Sequence, residues 1–222
     1  MCVDYKPTRA DLIANRFNCP VPEGMDWPPE TWKDYMAPII ILNDEKVPEL
    51  VLASYGMVPQ KKIPPQVKKY DTLNARAETV GSKRSYSKAW REARLCLIPT
   101  EVFYEPNWET GKHVRWGIKL ANDEPFAVAG LWKTWNQEDG SILHSFTQLT
   151  VNADDHPLMK RFHRPGKEKR SVVILRKEDE MSWLHVTDTE KEGRSFLTTY
   201  PAELLAAGPA PKPLKEQKQI EM

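Results

Sequence analysis

The chain has 222 residues, with 32 basic against 31 acidic side chains and a formal net charge of +1, a size that fits one domain. Hydrophobic residues make up 40% and charged residues 28%, enough to build a core and to exclude global disorder. The longest apolar run, residues 37–42, falls far short of the roughly 20 residues of a membrane helix, and the first residues carry no signal-peptide core.

In chain order, residues 8–17 predict a short amphipathic helix, with Thr8 as cap and Asp11 at the capping-box position. A Pro-rich, acidic stretch follows over 19–38. Residues 38–42 and 50–55 are β-rich runs flanking Asn43-Asp44-Glu45-Lys46-Val47-Pro48, the pattern of a hairpin. Residues 60–73 are basic and Pro-interrupted and predict a long loop. A helix is expected over 82–94. Strand signals recur at 95–98, 101–104, 114–120, 126–132, 142–151, 172–175 and 194–198. Helices are expected at 177–184 and 201–207, and the Pro/Lys/Gln-rich segment 208–222 reads as a disordered tail. Many short strands with few helices imply an α+β domain on an antiparallel, barrel-like sheet with peripheral helices.

The near-zero net charge conceals segregation. Residues 60–95 carry +7, residues 159–177 carry +7, and the remainder sums to −13. Tyr70, Tyr86, Trp90 and Phe162 lie among the basic residues. A groove that tracks phosphates and stacks bases needs this mixture; solvated charged faces are the simpler alternative. The three cysteines, Cys2, Cys19 and Cys96, form no Cys-x-x-Cys or zinc spacing. They imply a reduced, cytosolic protein without metal or cofactor.

Cys2 is the most informative position. A small second residue permits removal of Met1, which would leave an α-amine and a thiol on adjacent carbons. An amine of pKa about 7.7–8.0 is partly neutral at cellular pH and attacks aldehydes. The thiol then closes onto the imine, giving a thiazolidine. Ring-opened sugars are biological aldehydes, and an abasic site in DNA is one.

Four further segments carry a family resemblance: Asn74-Ala75-Arg76-Ala77-Glu78-Thr79; Arg94 through Glu105 around Leu97-Ile98-Pro99-Thr100; Phe126-Ala127-Val128-Ala129-Gly130-Leu131-Trp132 followed by Phe146-Thr147-Gln148-Leu149-Thr150; and His163-Arg164-Pro165. In this order behind a second-position cysteine, they resemble the SRAP (SOS response-associated peptidase) family over about residues 1–184. The resemblance implies a single SRAP-like domain over 1–207 that processes abasic sites in single-stranded DNA. It implies Cys2, Asn74, Glu105 and His163 as catalytic residues. Arg76 and Thr150 are then phosphate contacts, and Arg84 and Arg161 are added from charge alone. Glu105, after an apolar run and before Pro106, is expected at a strand end in a desolvated pocket that raises its pKa for proton transfer. His163 among Lys160, Arg161, Arg164 and Lys167 is expected neutral; His156 is its competitor, because residues 166–169 read as an insertion between this histidine and the next strand.

Two departures stand out. Val3-Asp4 replaces the family's usual Gly-Arg, exchanging a positive for a negative side chain. Tyr55-Gly56-Met57-Val58-Pro59 replaces a Trp-Gly-Leu-Val-Pro segment, which would move any stacking to Tyr55 or Met57. The leading expectation is a monomeric covalent sensor of abasic single-stranded DNA in the DNA-damage response, with strand cleavage by β-elimination as a side activity. A cysteine peptidase with an N-terminal nucleophile, including self-removal of Met1, and a non-covalent nucleic-acid-binding module are the rival expectations.

Overall fold

Apolar runs buried on both faces organise one ten-stranded sheet. The computed structural model describes residues 3–212; Met1, Cys2 and residues 213–222 lie outside the described residues. In chain order the strands are β1 (Tyr5–Pro7), β2 (Met36–Leu42), β3 (Pro48–Tyr55), β4 (Asn74–Arg76), β5 (Leu95–Asn107), β6 (Val114–Leu120), β7 (Phe126–Asn136), β8 (Ile142–Asn152), β9 (Arg170–Val172) and β10 (Leu205–Pro209). Three short helices accompany them: α1 (Ala10–Phe17), α2 (Ser87–Arg91) and α3 (Glu180–Leu184).

Five strands close a ring. β5 pairs β2, β2 pairs β3, β3 pairs β8, β8 pairs β7, and β7 returns to β5. Every step is antiparallel except β3 on β8, which is parallel. The fold is thus the expected α+β type with a barrel-like core. Side chains alternate between two apolar clusters along each strand. On β5, Leu95 and Leu97 join the cluster that packs α1, α2 and α3, whereas Cys96 and Ile98 join the other. On β2, Ile40 faces the first cluster and Ile39 and Ile41 the second. Both faces being covered, these strands read as continuous apolar runs, not as alternating ones.

Closure brings backbones close at Gly130 on β7. A Cβ there would lie 2.7 Å from Ile98 Cδ1, 2.8 Å from Cys96 Sγ and 2.9 Å from the Thr147 carbonyl oxygen. Only glycine fits without displacing β5 or β8.

The hairpin forms as expected, with the Asn43 side chain accepting the Glu45 and Val47 amides at 3.0 and 2.9 Å. Several expectations are corrected. Thr8 does not cap α1: its amide donates to Pro99 O at 3.0 Å, and α1 begins beyond Arg9. The signals at 95–98 and 101–104 are one 13-residue strand, because neighbours on both sides satisfy its backbone and the prolines sit where no ladder donor is needed. The helix expected over 82–94 shrinks to α2. The strand expected over 194–198 is replaced by a 3-10 turn at Gly193–Phe196, and the helix expected over 201–207 by a 3-10 turn at Ala202–Leu204 running into β10. β10 pairs β6 through Pro209 opposite Trp116, so the sheet continues two residues past the boundary expected at 207.

Gly130→Ala is expected to cost about 1–3 kcal/mol of unfolding free energy from overpacking, measured by urea denaturation; an unchanged midpoint would mean the ring is looser than its contacts require.

Candidate functional site

β5 ends in a buried acid. Glu105 pairs in register with Trp116 of β6, shares a face with Phe103 two residues earlier, and is 2% exposed. The turn over residues 159–163 docks against this strand end. Asn107 and Phe162 form a β-bridge, and the His163 amide donates to Pro106 O at 2.9 Å. His163 takes φ +61°, a conformation unusual for a side chain larger than glycine. Docked this way, its Nδ1 lies 3.5 Å from Glu105 Oε2.

The partner of Nε2 sets the tautomer. His163 Nε2 lies 3.1 Å from the Arg170 carbonyl oxygen, which only accepts, so Nε2 carries the hydrogen. Nδ1 of the neutral ring therefore turns a lone pair toward Glu105. Burial pushes the Glu105 carboxyl up to about 8 and, with Lys169 nearby, pushes the His163 imidazole down to about 4. At neutral pH the pair is a carboxylic acid facing a neutral imidazole, with one transferable proton between them.

His156 is differently employed. Its Nδ1 accepts the Leu158 and Met159 amides at 3.2 and 3.0 Å, and its Nε2 bonds Tyr200 O at 2.7 Å. Both nitrogens are occupied, Nδ1 by the start of the turn at Met159–Arg161 and Nε2 by the Tyr200 carbonyl.

The N-terminal strand enters at the same place. β1 pairs β5 with Tyr5 opposite Phe103, and the Tyr104 amide donates to Asp4 O at 3.2 Å. The described chain therefore begins at Val3 alongside the end of β5 that bears Glu105. Cys2 lies outside the described residues. Asp4, the departure from the family pattern, is 4% exposed and is neutralised by Arg115 of β6, whose Nε and Nη2 lie 3.0 and 2.7 Å from its carboxylate. Arg115 also bonds Glu30 and the Ala210 carbonyl and sits 3.4 Å above the Tyr104 ring. Burial nevertheless raises the Asp4 pKa.

Asn74 and Arg76 stand on β4, parallel to β8, opposite Gln148 and Thr150. They line an open cleft of about 350 Å³ with Tyr70, Lys83, Arg84 and Tyr86. Gln148 links β4 to the N-terminal strand: Tyr55 Oη donates to its Oε1 at 3.1 Å, and the Tyr55 ring meets Tyr5 edge-on at 5.5 Å. Arg84 is exposed and forms no ion pair among the described residues. Arg161 stands apart, gripped in a fork by Glu109 at 2.8 and 2.9 Å.

Other expectations are corrected here. Thr150 is 1% exposed, and its hydroxyl faces Ala75 O and Arg170 Nη2, so it lies beneath the cleft wall and is turned away from any phosphate. Tyr55 and Met57 are fully buried and cannot stack on a base. Of the four aromatics among the basic residues, Tyr86, Trp90 and Phe162 are buried; Tyr70 is 42% exposed and lines the cleft. Barrel closure draws aromatics inward wherever a strand or helix face meets the sheet.

Sequence reasoning passed over Arg170 as one charge among eight. It is 2% exposed, grips Glu78 at 2.8 and 3.0 Å, and bonds Glu168 and the Thr150 carbonyl at 2.8 and 2.6 Å. Its place at the head of an apolar strand signal was the clue. Among the described residues no group of three His, Cys, Asp or Glu side chains could hold a metal, and no helix is long and apolar enough to cross a membrane.

Comparisons with known proteins agree on one family. A family model described as SOS response associated peptidase (SRAP) matches residues 1–216. The chain is 30% identical over 201 residues to "Abasic site processing protein YobE" of Bacillus subtilis, covering 89% of this chain and 88% of that protein. It is 26% identical over 128 residues to "Abasic site processing protein HMCES" of Pongo abelii, covering 45% of this chain and 36% of that protein. A crystal structure of a protein from Bordetella bronchiseptica superposes with a TM-score of 0.84 at 32% identity, covering 95% of this chain and all of that one.

Replacing Glu105 by Gln removes a group ionised in the unfolded chain above about 4.5 but protonated in the folded one up to about 8. Wild type should therefore lose stability relative to Glu105→Gln by up to about 1.4 kcal/mol per pH unit across that window, and no further above it. Melting curves at several pH values measure this; parallel curves would contradict a buried, protonated Glu105.

Proposed function

The chain belongs to the SOS response associated peptidase family, and on that premise we propose that it processes abasic sites in single-stranded DNA through a covalent bond from Cys2. The observation that carries the proposal is the buried Glu105–His163 proton pair beside the entry of the N-terminal strand. The names of the relatives in Bacillus subtilis and Pongo abelii supply the substrate class.

Release of Met1 frees the Cys2 α-amine, the one peptide cleavage the reaction needs. The amine adds to the aldehyde carbon of the ring-opened sugar. The resulting carbinolamine loses water to give an imine, with Glu105 donating the proton that lets hydroxide leave. The Cys2 sulfur then adds to the imine carbon. The C=N electron pair goes to nitrogen, which takes up the proton lost by the thiol. One water is lost overall, and the product is a five-membered thiazolidine. His163 Nδ1 accepts and returns a proton while its Nε2–H stays tied to Arg170. The imine also acidifies the neighbouring sugar carbon, which accounts for β-elimination as a side reaction.

The other cysteines are unsuited to this role. Cys19 and Cys96 are buried, and burial pushes the Cys19 thiol to about 11 and the Cys96 thiol well above its usual value. Asn74 bonds the open sugar, Arg76 and Arg84 meet flanking phosphates, and Tyr70 stacks on a neighbouring base. Such backbone contacts ignore sequence, as a nucleotide without a base requires.

Intact mass after mixing with an abasic oligonucleotide tests the proposal. Wild type should gain the oligonucleotide less one water, and Cys2→Ala should gain no stable adduct. Glu105→Gln should slow formation by roughly 10²–10⁴, and the wild-type rate should fall as pH rises past about 8, where Glu105 loses its proton. Adduct formation by protein that retains Met1, or salt-sensitive binding with no adduct, would overturn the covalent mechanism.

A further inference from the structure

Arg76 does not face the cleft uncompensated. Its Nη1 lies 2.7 Å from Glu168 Oε2, with the two side chains 47% and 33% exposed. Glu168 belongs to the segment 166–169 in the connection from His163 to β9. That segment is pinned on several sides. The Lys167 amide donates to Arg164 O at 3.1 Å, the Lys169 amide to Asp154 Oδ1 at 2.8 Å, and Lys169 Nζ to His163 O at 3.1 Å. The second carboxylate oxygen of Glu168 is held by Arg170 Nη1 at 2.8 Å and by Asn152 Nδ2 at 3.3 Å. Arg170 in turn keeps Glu168 ionised by lowering its pKa.

Glu168 is thus a fixed negative charge at the lip of a basic cleft. A mobile surface carboxylate swings away when a phosphate arrives. This one cannot do so without giving up the buried Arg170. We propose that Glu168 is a specificity-determining residue that competes with nucleic-acid phosphate for Arg76 and so weakens the hold on undamaged single strands. The inference rests on the DNA role proposed above. Its consequence is discrimination: a strand without an aldehyde meets a blunted cleft and leaves, whereas an abasic strand is retained by the bond to Cys2.

The test uses an undamaged, fluorescein-labelled single-stranded oligonucleotide, so that no covalent step contributes. Fluorescence anisotropy is read across a salt series. A half-exposed ion pair is worth about 0.2–1 kcal/mol, so Glu168→Gln should bind between about 1.5- and 5-fold more tightly. Its salt dependence should steepen by about 0.7 in log–log slope, because Arg76 now releases a counterion of its own phosphate partner. In an Arg76→Ala background the Glu168→Gln gain should vanish. Equal or weaker binding by folded Glu168→Gln, or the same gain without Arg76, overturns the inference. If Glu168→Gln fails to fold, two single variants decide the matter. Arg76→Ala should cost less affinity and less salt slope than Arg84→Ala, which loses an arginine with no counter-charge among the described residues; the reverse order overturns the inference. Wild type that binds no single-stranded DNA even at low salt removes the DNA role itself, whereas binding unaltered by Glu168→Gln removes only Glu168's part in it.

Discussion

A guanidinium buried to 2% exposure is the constraint on which both halves of the site depend. Arg170 cannot be left without acceptors in a desolvated place, and the chain surrounds it with Glu78, Glu168 and the Thr150 carbonyl. Those partners fix the wall of the cleft that carries Arg76. The backbone carbonyl of the same residue fixes the other half, because it holds His163 Nε2 and so turns Nδ1 to Glu105. One residue at the head of β9 therefore sets the charge pattern of the cleft and the tautomer of the proton pair. Because these partners share one guanidinium, substitutions at Glu78, Glu168 and Arg170 should not behave additively.

Charge is handled differently at the N-terminal strand. Asp4 stands where the family pattern carries a positive side chain, and a lone buried carboxylate there would be costly. Arg115 of β6 answers it, with its guanidinium over Tyr104 and shared with a second carboxylate, Glu30. The strand is held beside β5 by an ion pair as well as by its ladder.

The candidate site was legible in the order of a few short segments. Cys2, the Asn74 loop, Glu105 before Pro106 and His163 before Pro165 could be picked out without coordinates, and the apolar runs of β2, β5, β7 and β8 announced a sheet-based core. The three-residue strands β1 and β4 carry too little periodicity to be read, and only Val172 of β9 falls within the strand expected over 172–175. β10 hid in a segment whose Ala and Leu content suggested helix; its pairing with β6 overrode that local preference. Sequence context favoured His163 over His156 without excluding the latter, because both sit in polar turns. What divides them is that His156 bonds a turn through Nδ1 and the Tyr200 carbonyl through Nε2, whereas His163 turns Nδ1 to an acid 58 positions earlier in the chain.

By itself the amino-acid sequence determined the candidate reactive groups, the barrel-forming strands and the two basic stretches, because these follow from residue type and short-range pattern. Only the tertiary structure decided which of those groups are desolvated and what each one faces. Tyr55, Trp90 and Thr150 proved to be interior residues, and Glu105, expected to be desolvated, was brought to face His163. Arg76 acquired a counter-charge 92 positions away. Burial and ion pairing depend on which distant segments the sheet brings together, and no local pattern encodes that.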